Sequence, residues 1–121
     1  MARLHHVAIT VNEFDKYVEL FETLGMKIQK TRGTSPNRQL WFEEGIQLNE
    51  VPDEERSGRI DHIALGTEDT SALMQTAIDI GCSRVPGKER WFTFPNNIRV
   101  ELMPVDNEDL CSIARIIGAG D

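Results

Sequence analysis

Alternation of apolar and polar residues is clearest at Arg3–Thr10, RLHHVAIT, and the chain repeats it 56 residues later as RIDHIALG, Arg59–Gly66. A period of two marks a half-buried strand. One face carries Val7 and Ile9, echoed by Ile63 and Leu65; the other carries His6 and Ala8, echoed by His62 and Ala64. Each strand thus points a histidine away from its apolar face.

The pattern then changes period. Asn12 offers a helix N-cap, and Phe14, Tyr17, Val18, Phe21 and Leu24 follow at helical spacing. Gly25 suits the left-handed residue that ends a helix. Strands are expected at 26–30, 38–43 and 46–51, with a loop at 31–37. Residues 52–58 are polar and charged and read as a linker. After the second histidine strand comes a capping cluster, Thr67-Glu-Asp-Thr70. Leu73, Met74, Ala77 and Ile80 share one helical face, and Gly81 ends that helix. A short strand at 82–85, a hairpin over 90–94 and 98–103, and an amphipathic helix at 107–117 complete the chain.

The expectation is one α+β domain over residues 1–121, built from two βαβββ modules, about 1–51 and 59–105, forming a curved mixed sheet around a metal-binding cup. Parity selects the chemistry. Val100 and Leu102 are apolar, so Glu101 faces away from them; Ile46 and Leu48 do the same for Gln47. The matching segments are offset by 54 rather than 56, so the second hairpin region is read as two residues shorter. His6, Gln47, His62 and Glu101 therefore share a face as equivalent pairs. Two imidazoles, a carboxylate and an amide oxygen suit a divalent ion such as Ni, Co, Mn, Fe or Zn, with room for a further ligand. His5 competes locally with His6, but its parity sets it beside Val7 and its counterpart is Asp61, so it is read as structural or supporting.

Composition narrows the field. The formal net charge of −7 leaves no electrostatic footprint for nucleic acid, and no apolar run approaches membrane-spanning length. No signal segment is read at the N-terminus, and Cys82 and Cys111 sit in no paired motif. Both are read as reduced thiols of a cytoplasmic protein.

The motifs HVAI at 6–9, HIAL at 62–65, LGM at 24–26 and VEL at 100–102, in this order, resemble the vicinal oxygen chelate superfamily. That superfamily includes glyoxalase I, methylmalonyl-CoA epimerase, extradiol dioxygenases and the fosfomycin and bleomycin resistance proteins. The resemblance implies metal ligation by His6, Gln47, His62 and Glu101. Glutamine at the Gln47 position is closer to the epimerase than to glyoxalase I, which has glutamate there. It also implies a metal-dependent isomerase or lyase that moves a proton next to a carbonyl through a metal-held enediolate, with Glu101 as the catalytic carboxylate. The alternative it leaves is a bleomycin-resistance-type protein that sequesters a small molecule. The partners implied are a small-molecule substrate and a second copy of the chain. Trp41, Phe42, Trp91 and Phe92 are read either as cup lining or as core.

Overall fold

The computed structural model describes residues 2–105, which fall into two compact units. One runs from His6 to Asp61; the other, among the described residues, takes 62–105 together with 2–5. The expected C-terminal helix at 107–117 and Cys111 lie outside the described residues.

The first unit takes most of β1 (Ala2–Val11), then α1 (Phe14–Thr23), β2 (Ile28–Arg32), β3 (Gln39–Phe42) and β4 (Ile46–Glu50). Its sheet order is β2-β3-β4-β1. β1 and β4 pair in parallel, Ala8 opposite Gln47, while β3 is antiparallel to both β2 and β4. The second unit repeats this with β5 (Ile60–Thr67), α2 (Thr70–Asp79), β6 (Ser83–Arg84), β7 (Trp91–Thr93) and β8 (Arg99–Pro104), in the order β5-β8-β7-β6. β5 and β8 are parallel, with Ala64 opposite Glu101. The α+β class and the duplicated βαβββ unit are as expected.

Each unit buries one sheet face on its own helix. Val11, Phe14, Leu40, Phe42 and Leu48 form the first core, and Met74, Ala77, Cys82, Phe92, Val100 and Leu102 the second. Phe42 and Phe92 are thereby assigned to the cores. Trp41 and Trp91, one residue earlier on their strands, take the opposite face.

Three local expectations need correction. Asn12 does not cap α1: Glu13 holds that position without a side-chain cap, and the Asn12 backbone N–H donates to Ser57 Oγ at 3.0 Å. In α2 the capping cluster resolves to Asp69, whose carboxylate accepts from Ala72 N–H. Leu24 and Ile80 do not join the cores; they are 76% and 74% exposed. Each is the residue after the last helical turn, immediately before Gly25 (φ +102°) or Gly81 (φ +108°). The left-handed glycine turns the chain back to the sheet one residue later, so helical periodicity no longer governs where these two side chains point. Met26 and Ile78 pack on the cores instead.

The linker is more ordered than its composition implies. Residues 54–56 form a 3-10 turn capped by Asp53, and Thr10 Oγ1 donates to the Arg56 carbonyl. Gly58 N–H donates to the Thr10 carbonyl, and Thr10 N–H to Arg59 O, so the segment is laced to β1.

Arg38 ties α1 to its sheet. Its guanidinium donates from Nε and Nη2 to both oxygens of Glu50 at 2.9 Å and from Nη1 to Asp15 at 2.9 Å, and lies 4.5 Å over the Phe14 ring. The Arg38 hydrogen bonds hold the Glu50 carboxyl below its ordinary value of 4.5. A lowered folded pKa means the stabilisation is present above the unfolded value and is lost as pH falls through the folded one. Arg38→Met should therefore cost about 1–2 kcal/mol in denaturant unfolding at neutral pH, the scale of part-exposed charged hydrogen bonds. The gap between variant and wild type should narrow as pH drops below 4.5. An unfolding midpoint difference that does not change with pH would count against this brace.

Candidate metal centre

The helix-free face of each unit carries the residues selected by parity. In the first, the β1/β4 register sets Gln47 opposite Ala8, two residues along the same face from His6. In the second, the identical register sets Glu101 opposite Ala64, two residues from His62. Structure and repeat thus place His6 with Gln47 and His62 with Glu101.

His6, Gln47 and His62 are buried, although all three are polar. Burial of such groups is costly unless they are hydrogen-bonded or coordinating. The Gln47 side chain is oriented by Asn49, two residues on: Gln47 Nε2 donates to Asn49 Oδ1 at 2.7 Å. Gln39, opposite Asn49 on β3, donates to the same oxygen at 3.4 Å. With its nitrogen committed, the Gln47 amide has its oxygen to offer a cation. Asn49 was not singled out in the sequence. The available signal was its parity: it sits two residues from Gln47 on the same strand.

In the second unit His62 Nε2 lies 3.5 Å from Glu101 Oε1. That is longer than a charge-assisted N–H···O bond, about 2.7–2.9 Å. It matches the separation of two donors sharing one ion at bond lengths near 2.1 Å, roughly 3.0–3.5 Å. Glu101 is partly exposed, with 26% of its side chain accessible, while His62 is closed off against the edge of Trp91, ring centroids 4.8 Å apart. A shielded imidazole beside a reachable carboxylate suits a ligand next to a group that also meets substrate.

Both tryptophans occupy equivalent ladder positions: Trp41 pairs with Gln47 and Trp91 with Glu101. The repeat is therefore exact in register but not in length. From histidine to tryptophan the second unit is six residues shorter, and from tryptophan to Gln47 or Glu101 it is four longer. The net difference of two hides both changes, so the hairpin itself is longer in the second unit and the shortening lies before it.

The geometry generates a stability test. Asn49→Leu leaves the buried Gln47 donor without its partner and should cost about 1–3 kcal/mol. Adding Gln47→Leu removes that penalty, so the double variant should be more stable than Asn49→Leu alone. A double variant that is less stable, by denaturant unfolding, would contradict the Asn49–Gln47 pairing.

No family model matches this chain, and no curated protein does. Solved structures do. A hypothetical protein from Bacillus halodurans has 20% identity and a TM-score of 0.58 over 88% of this chain and 99% of that one. Methylmalonyl-CoA epimerase from Mycobacterium tuberculosis has 20% identity and a TM-score of 0.58, covering 88% and 90%. The 2,2',3-trihydroxybiphenyl 1,2-dioxygenase of Sphingomonas wittichii has 14% identity and a TM-score of 0.61, over 88% of this chain but 45% of the dioxygenase. At these identities the likeness is one of fold. Among the described residues no helix is long and apolar enough to cross a membrane.

Proposed function

We propose that this chain, which has the fold of the vicinal oxygen chelate superfamily, is a metal-dependent isomerase or lyase that moves a proton next to a carbonyl group. The observation that carries the reading is the repeated register: one donor pair per unit, His6 with Gln47 and His62 with Glu101. It is supported by the pair within the second unit, where His62 Nε2 lies 3.5 Å from Glu101 Oε1. The donor set fits a divalent ion of the Ni, Co, Mn, Fe or Zn group. Gln47 completes it as a neutral oxygen donor. When bound, the ion supplies Lewis acidity that stabilises negative charge developing on a substrate oxygen.

The residues divide the work unequally. His6 and His62 are buried and hold position. Gln47 cannot accept a proton at neutral pH, and its amide is oriented by Asn49. Glu101 is the reachable carboxylate, and it takes a proton from the carbon beside the carbonyl and returns it. Two carboxylates in symmetric roles are excluded by the glutamine. In this reading the protein works in the cytoplasm as a homodimer, the second copy covering open sheet edges. Sedimentation at micromolar concentration should give twice the chain mass, and a monomer would remove that part of the reading.

Purified protein should contain about one divalent ion per chain by elemental analysis. His6→Ala or His62→Ala should weaken metal affinity by more than about a hundredfold, exceeding the loss from an outer hydrogen-bond partner. His5→Ala should weaken it much less; equal retention in all three variants would sink the assignment.

Glu101→Gln should keep part of the metal yet lower solvent deuterium exchange at the substrate α-carbon by about 10²–10⁴-fold, the usual scale of general acid–base catalysis. Suitable probes are the hemithioacetal of methylglyoxal and short 2-methyl-branched acyl thioesters. If the metal-loaded wild type exchanges no α-proton in any of them, sequestration of a small molecule becomes the better reading.

A further inference from the structure

Each tryptophan on the helix-free faces is covered by two cations. Lys30 Nζ lies 4.4 Å and Arg32 Cζ 5.5 Å from the Trp41 ring centroid. Lys88 Nζ and Arg99 Cζ each lie 5.1 Å from that of Trp91. In a chain of net charge −7, four of the thirteen Lys and Arg residues gather on two indoles beside the candidate ligands.

The arrangement is not a relic of the repeat, because the two units build it differently. In the first, both cations come from β2, where a bulge between Ile28 and Lys30 shifts the register against β3. Ile28 pairs with the core residue Phe42, whereas Lys30 pairs with Trp41 and Arg32 with Gln39, on the other face. The extra residue re-aims the strand, a use of bulges common near active sites. In the second unit Lys88 precedes β7 and Arg99 lies on β8. Two unequal routes to one result point to the result itself as what matters.

Lys30 and Arg32 also differ from other cations of the chain. Arg38 and Arg56 are locked to carboxylates, and Lys16 is near one. Among the described residues, the interaction partner of Lys30 and Arg32 is the Trp41 ring. Stacking on an indole restrains a long cationic side chain while leaving its N–H donors unused. That is a pre-ordered receptor for an anion.

We infer that Lys30 and Arg32, held on Trp41, bind the carboxylate or phosphate end of an elongated anionic substrate whose reacting carbonyl lies at Gln47. The inference deepens the function proposed above and rests on it for the location of the reacting end. Trp41 pairs with Gln47 on β4 and with Lys30 on β2. At about 4.8 Å per strand, the backbones at Lys30 and Gln47 are roughly 10 Å apart. The charged end is therefore separated from the reacting carbon by several bonds.

The test is isothermal titration of the full-length protein with glutarate, inorganic phosphate and uncharged glutaramide, in chelator-treated and metal-loaded forms. Glutarate or phosphate should bind in both forms, more weakly at higher salt, and glutaramide should not. Whichever of the two binds more tightly identifies the anion. Lys30→Gln with Arg32→Gln should weaken that binding at least about tenfold, as expected for lost hydrogen bonds to a charged group. Metal content should stay at the wild-type level, and the carboxylate-paired control Arg56→Gln should change nothing. Unchanged affinity in the double variant, or no anion binding in either form, overturns the inference. Anion binding that depends on Lys30 and Arg32 in a protein that takes up no stoichiometric metal would instead defeat the metal reading and leave this one standing.

Discussion

A parallel ladder joins the first and last strand of each unit, and its register fixes the face and height of the neighbouring functional side chains. Ala8 faces Gln47 and Ala64 faces Glu101. Because strand side chains alternate, a one-residue slip of β4 against β1 would send Gln47 into the apolar core and bring Leu48 out. The packing of Phe14, Leu40, Phe42 and Leu48 on one side therefore holds the polar set on the other. Core and candidate site are two faces of a single constraint, and hydrophobic burial supplies the energy that enforces it.

The same constraint explains what was legible in the sequence. Alternation around His6, Gln47, His62 and Glu101 is a local property, so parity alone placed these residues on the helix-free faces. The helix ends at Gly25 and Gly81 were legible because a left-handed residue there favours glycine. The burial of Leu24 and Ile80 was not, because periodicity says nothing about where the last turn stops relative to the sheet edge. The balance of a shorter approach and a longer hairpin in the second unit was hidden, since compensating length changes leave only their difference in the spacing. Arg38 was invisible for another reason: its partners Asp15 and Glu50 lie on separate elements, and only folding brings them together.

Duplication gives each unit the same scaffold and leaves its chemistry free to diverge. One unit offers an amide where the other offers a carboxylate, and one draws its cations from a bulged strand where the other uses a loop and the last strand. The shared elements are those that packing demands: the parallel ladder, the buried Phe42 and Phe92, the glycine after each helix. The unshared ones face away from the cores, where packing tolerates substitution.

The bulge in β2 has a consequence for where charge sits on the sheet. The strand obeys one alternation up to Ile28 and the opposite one from Lys30, with a single extra residue separating the two phases. The bulge thus sets Lys30 and Arg32 on the Trp41 face, where unbroken alternation from Ile28 would have set them on the Phe42 face. One extra residue in an edge strand inverts the face met by every later side chain of that strand, and leaves the other strands of the sheet as they were.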